Sequence, residues 1–184
     1  FGTPTIHNMC AWTDTQTVRD ADLTGLFSSS WVTTTNFAGT GFGFLQANAP
    51  AVAVIKYTLP SGCFTTVQIT INPVPTPIVT APYQVCVGAT KTLSSTPAGG
   101  TWTSSAGGIA SINPVTGDAL GIVPGVTNIV YTLPGTGCKT DTPLTVYANP
   151  VITGGRTEIC ALDTTLFSAT PIGGTWTSSV TSTA

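Results

Sequence analysis

Cysteine is the residue type whose number and spacing most invite chemistry in this chain of 184 residues. Five are present, in two sets. Cys10, Cys86 and Cys160 each precede a first core strand, whereas Cys63 and Cys138 each follow a Leu-Pro turn. Cys10 and Cys63 are 53 positions apart, and Cys86 and Cys138 are 52 apart. Spacings matched this closely predict one disulfide per repeat, Cys10–Cys63 and Cys86–Cys138, and therefore an oxidising compartment. In the chain-entropy model, closing a loop of that size stabilises by about 4 kcal/mol. Cys160 has no such mate, and its partner is expected outside the chain. A zinc site wants closer cysteine pairs or nearby histidine, and the one histidine is His7.

Other chemistry is poorly provided for. A nucleophilic triad needs a base beside its nucleophile, and His7 sits in a first strand without repeat equivalents. The carboxylates Asp14, Asp20, Asp22, Asp118, Asp141, Glu158 and Asp163 are scattered, which argues against a paired acid and base. Asp20 and Asp22 are oxygen ligands of the kind calcium takes, but without the loop signature of a calcium site. A solvated loop is the expected state there, and Asp118, after Gly117, reads as a turn residue. No phosphate loop, metal cysteine pair or dinucleotide fingerprint occurs. The expectation is a non-enzyme with no cofactor and no metal. Lys56 aligns with Val130 and should face outward, which disfavours an isopeptide bond. Asp163-Thr164-Thr165 has the pattern of a bacterial O-glycan acceptor.

The elements that position the cysteines repeat. Gly99-Gly100-Thr101-Trp102-Thr103-Ser104-Ser105 returns as Gly173-Gly174-Thr175-Trp176-Thr177-Ser178-Ser179. Ser29-Ser30-Trp31-Val32-Thr33-Thr34 reads as a degenerate earlier copy. Trp31, Trp102 and Trp176 are 71 and 74 positions apart, and a fixed period is the mark of a repeat architecture. Alternation in a strand turns Trp102 inward and Thr101 and Thr103 to water. The three tryptophans are thus predicted core aromatics.

Three units follow: 1–74 with a loop insertion at 20–27, 75–149, and 150–184 as the first strands of an incomplete third. In the middle unit, strands are predicted at 77–80, 84–87, 90–95, 101–105, 109–112, 119–123, 127–133 and 138–147. Turn signals such as Asn113-Pro114, Gly117-Asp118 and Pro134-Gly135 separate them. Short strands with turns every eight to twelve residues describe an all-β antiparallel sandwich. Pro73, Pro75, Pro77 and Pro150 mark semi-rigid junctions. The chain reads as a piece of a longer precursor, with the third unit's edges needing a further partner.

Charged residues are 7% of the chain, with five Lys or Arg and a net charge of −2. That is far below the usual quarter and supplies no basic footprint for nucleic acid. No apolar run has the length of a membrane span. At 41% hydrophobic, the composition is not that of a disordered chain.

Val85-Cys86-Val87-Gly88, Gly100-Thr101-Trp102-Thr103-Ser104, Tyr131-Thr132-Leu133-Pro134-Gly135-Thr136-Gly137-Cys138 and Leu144-Thr145-Val146 together carry a resemblance. So does Tyr57-Thr58-Leu59-Pro60-Ser61-Gly62-Cys63 in the first unit. They resemble the bacterial immunoglobulin-like repeats of large secreted surface proteins, common in Bacteroidota, where type IX secretion exports long adhesins. The resemblance implies tandem immunoglobulin-like sandwiches, each with one disulfide, in an extracellular stalk or filament at the cell surface. It implies as partners a surface glycan or a host or substratum ligand, and copies of the chain adding strands at the open third unit. The alternative is a spacer or carbohydrate-binding module of a secreted hydrolase, for which exposed Trp12, Phe37, Phe42 and Phe44 would speak.

Overall fold

The computed structural model describes residues 8–19, 24–29, 32–37 and 42–179, and among these it contains strands and no helix. His7, Asp20, Asp22 and Trp31 lie outside the described residues.

Seven strands precede the first junction: β1 (Met9–Cys10), β2 (Thr15–Arg19), β3 (Leu26–Ser28), β4 (Val32–Phe37), β5 (Phe42–Ala47), β6 (Ala51–Thr58) and β7 (Phe64–Asn72). They form one sheet in the order β1-β7-β6-β3 and another in the order β2-β5-β4. Seven more follow: β8 (Gln84–Cys86), β9 (Thr90–Thr92), β10 (Thr101–Ser104), β11 (Ala110–Ile112), β12 (Asp118–Gly121), β13 (Gly125–Thr132) and β14 (Lys139–Tyr147). Their sheets run β10-β13-β14-β8 and β11-β12-β9. The two sets share one topology. In each, the first strand pairs parallel with the last, β1 with β7 and β8 with β14, and every other pairing is antiparallel. Seven strands split four and three in this order are an immunoglobulin-like sandwich whose first strand has joined the sheet of the last.

Period-two alternation builds both cores. In β13, Thr127, Ile129 and Tyr131 are buried while Val126 is exposed. In β6, Ala53, Ile55 and Tyr57 are buried while Val52 and Val54 face out. Side chains of both sheets meet in each core: Trp102, Ile129 and Leu144 against Leu93, Ala110 and Ala119 in the second sandwich, and Ile55, Ile69 and Ile71 against Val18, Val32 and Leu45 in the first. Each such buried valine, leucine or isoleucine stabilises by about 1.5–3 kcal/mol.

The last two residues of the segment read as a loop insertion, Leu26 and Phe27, belong to the sheet strand β3, where Phe27 stands opposite Tyr57. In the second sandwich Trp102 stands opposite Tyr131. Phe27, four residues before Trp31, is therefore the counterpart of Trp102. Gly25-Leu26-Phe27-Ser28-Ser29 answers Gly100-Thr101-Trp102-Thr103-Ser104.

After the second sandwich, β15 (Val151–Gly154) and β16 (Phe167–Thr170) pair antiparallel. Trp176 lies outside any strand, 56% exposed, with its ring 6.2 Å from that of Phe167. Among the described residues, then, Trp176 is not part of a buried core.

Candidate functional site

An aromatic–tyrosine pair closes one end of each sandwich. The rings of Trp102 and Tyr131 are 4.5 Å apart, and those of Phe27 and Tyr57 are 4.7 Å apart. The Tyr131 hydroxyl accepts the Gly100 N–H at 2.8 Å and donates to the Pro97 carbonyl at 2.7 Å. Tyr57 accepts the Gly25 N–H at 3.1 Å. Glycine is needed at both places, because a Cβ on Gly100 or Gly25 would lie 2.4 or 2.1 Å from the tyrosine ring. An open groove of about 170 Å³ runs beside this pair, lined in part by Gly99, Gly100, Trp102 and Tyr131. Trp102 is 5% exposed, so it offers no face on which a sugar ring could stack.

The predicted disulfides are corrected. Cys10 is bonded to Cys138, with a Cα–Cα distance of 5.5 Å. The bond joins the two sandwiches across their junction, where the predicted pairing kept each bond inside one. The parallel first strand explains why. It places Cys10 beside Asn72, at the far end of the nine-residue β7 from Cys63. It likewise places Cys86 beside Tyr147, at the far end of the nine-residue β14 from Cys138. Nine residues of strand span about 30 Å, whereas bridged cysteines need Cα atoms within about 7 Å. Bonds within a unit are thus sterically excluded. Cys63, Cys86 and Cys160 are exposed and form no disulfide among the described residues.

Around the bond the junction is packed. Cys10 and Cys138 are 8% and 1% exposed, Ala11 is fully buried, and so is Pro75 in the connecting segment. The Ala11 N–H donates to the Asn72 carbonyl at 2.9 Å. The Asp14 carboxylate accepts the Cys10 N–H at 2.8 Å. Asn72 Nδ2 reaches back to the Met9 carbonyl at 3.4 Å.

The local backbone sorts the cysteines. Two residues after Cys10, Cys86 and Cys160 come Trp12, Gly88 and Leu162, with φ of 59°, 80° and 73°. In the same turns the carbonyl of each cysteine accepts an N–H, from Asp14, Ala89 and Asp163 respectively. Cys63 and Cys138 share another turn: the carbonyl of each accepts from the leucine of its Leu-Pro pair, Leu59 or Leu133, at 2.8 Å. Sequence spacing revealed the two sets but not that they sit at opposite ends of a sandwich.

Titratable groups form little else. Asp118 has its carboxyl held below the ordinary value by hydroxyl hydrogen bonds, first from Thr116 and then from Thr92. Among the described residues there is no cluster of three His, Cys, Asp or Glu that could hold a metal. No helix of the described residues is long and apolar enough to cross a membrane. Lys56 is partly exposed, with its Nζ 4.0 Å from the centre of the Phe64 ring. Trp12 and Phe44 are 62% and 45% exposed.

No family model matches the chain, and no curated protein matches it. Solved structures similar to it include a C-terminal 282-residue fragment of intimin in complex with the intimin-binding domain of the translocated intimin receptor. That likeness has 14% identity over 76% of this chain and 58% of that one, with a TM-score of 0.47. Invasin, a bacterial integrin-binding protein, is similar at 15% identity over 80% and 34% of the two chains, with a TM-score of 0.43. Domains 1–6 of the surface layer protein SbsC follow at 16% identity over 76% and 22%, with a TM-score of 0.34. The chain thus spans little more than half of the intimin fragment and less of the others.

Proposed function

We propose that this chain is a length of extracellular rod, an array of immunoglobulin-like repeats divided at 74/75 and 149/150, whose work is mechanical. The observation that carries this reading is the Cys10–Cys138 bond. A disulfide across a junction, over a buried proline, holds two adjacent repeats in one orientation and opposes the hinge motion usual between domains. A surface with 7% charged residues opposes lateral packing only weakly, because there is little self-repulsion.

On this reading the rod stands at the cell surface as an adhesive stalk or a filament, of the kind exported by type IX secretion in Bacteroidota, and has no catalytic role. A tip elsewhere on the rod takes a glycan or a host or substratum ligand. The pair β15 and β16, with Phe167 44% and Trp176 56% exposed, is completed by added strands, and a second copy of the chain is one donor of them. Exposed Trp12 and Phe44 support the second reading, a carbohydrate-binding module of a secreted hydrolase.

Negative-stain electron microscopy of unreduced native material tests the proposal. Straight rods that become flexible after reduction are the expected result. Single-file rods of unequal length speak for a stalk, and fibres of fixed axial repeat for a polymer. Compact particles before reduction overturn the rod and favour the module.

A further inference from the structure

We infer that Cys63, Cys86 and Cys160 are half-cystines of a disulfide ladder, each bonded to a cysteine on the repeat stacked against its end of the sandwich. The inference rests on the array reading and adds a covalent rule to it: a strand-end cysteine bonds forward to the turn cysteine of the next repeat. Cys10 and Cys138 obey the rule at the junction that the chain contains whole. Cys86 repeats the setting of Cys10. It closes the parallel first strand opposite Tyr147, as Cys10 does opposite Asn72. The Val87 N–H donates to the Tyr147 carbonyl at 2.9 Å, as Ala11 does to Asn72. An asparagine side chain ties down each first strand, Asn72 donating to the Met9 carbonyl before Cys10 and Asn149 to the Val87 carbonyl after Cys86. Cys160 already lies in the same positive-φ turn. Cys63 repeats the turn of Cys138 and, at the far end of β7 from Cys10, faces backward.

All three thiols are exposed, and for Cys63 and Cys86 a bond inside their own sandwich is ruled out by the nine-residue strand between its two ends. Partners of the opposite class on adjacent repeats satisfy every one of them. Each bond forms as two thiols lose two protons and two electrons to an acceptor disulfide, such as glutathione disulfide or that of a thiol oxidoreductase, which leaves as two thiols.

A mechanical consequence follows. The ladder makes two covalent threads through the array. One runs from Cys63 along β7 and the next first strands to Cys86, the other from Cys138 along β14 to Cys160. Each thread segment is 22 or 23 residues, about 80 Å when fully drawn out. Much of it is already extended strand, so a fully cross-linked array barely lengthens under load.

The test is disulfide mapping of the native protein, its thiols capped with N-ethylmaleimide at isolation and its unreduced peptides sequenced by mass spectrometry. The expected map contains Cys10–Cys138, with Cys86 and Cys160 each joined to a turn cysteine of another repeat and Cys63 to a strand-end cysteine. An unreduced gel separates the sources: unchanged mass on reduction means repeats of one polypeptide, and loss of a multiple-mass species means a second copy. Either supports the ladder. Capped Cys63, Cys86 or Cys160, bonds within one sandwich, or bonds between two strand-end cysteines overturn it. Rods seen by microscopy together with capped thiols would sink the ladder and leave the array standing.

Discussion

Tyr131 does two jobs with one hydroxyl, accepting from Gly100 and donating to Pro97. Tyr131→Phe keeps the ring against Trp102 and strands both backbone partners in a partly buried place. Its expected cost is about 1–3 kcal/mol, read as a lower urea midpoint with an unchanged slope. Asp118 gives the pH dependence a sign. Its folded carboxyl titrates below 3.8 because Thr116 and Thr92 donate to it, so near that pH the unfolded chain binds more protons. Its contribution to stability is therefore whole above the ordinary pKa and fades as pH falls through the folded value. Thr116→Val should move the Asp118 titration, followed by NMR, upward toward 3.8. The tyrosine and its glycine were visible in the sequence as a recurrent Gly-Gly-Thr-Trp and Tyr-Thr-Leu-Pro, but their contact was not, since about thirty positions separate them. Ser29 shows how the repeats diverge: its buried hydroxyl has no partner among the described residues, whereas Ser104 bonds Thr127 at 3.0 Å. Ala53 occupies the place of Thr127 in the first sandwich.

Strand β3 is where reading by residue type failed. Trp31 is the most conspicuous aromatic nearby, yet the sheet position is decided by a glycine that can approach Tyr57 and an aromatic that packs on it. Phe27 meets both conditions. Phe27→Ala should cost the first sandwich about 2–3 kcal/mol, less than the 3–5 kcal/mol of a fully buried phenylalanine, because Phe27 is partly exposed. Thermal unfolding followed at both sandwiches would locate the loss in the first alone. Most other elements were legible because alternation is a local property, although the predicted strand at 77–80 is only an isolated bridge of Val79 with Ser94. Predicted strands at 119–123, 127–133 and 138–147 became β12, β13 and β14 with no end moved by more than two residues. The inward set Ile129, Tyr131 and Leu133 is buried as alternation required.

At the scale of the whole molecule, the Cys10–Cys138 bond decides how the chain carries force. Pulled from its two ends, the oxidised chain passes load from β1 through the bond into β14 and leaves everything between the cysteines slack. Reduction, or Cys138→Ser, should add about 450 Å to the fully extended length in single-molecule stretching, the contour of a bonded separation of 128 residues. An equal length before and after reduction would mean that load does not pass through the bond. Sequence by itself determined the all-β class, the repeat, most strands with their buried faces, and the two sets of cysteines, because each is written in local spacing. Which cysteine meets which was decided by tertiary structure alone. The pairing turns on whether the first strand lies parallel or antiparallel to the last, and this sets Cys10 at one end of the sandwich or the other. Parallel pairing put 30 Å of strand (about nine residues) between the cysteines that spacing had matched, and brought together two that the sequence holds 128 positions apart.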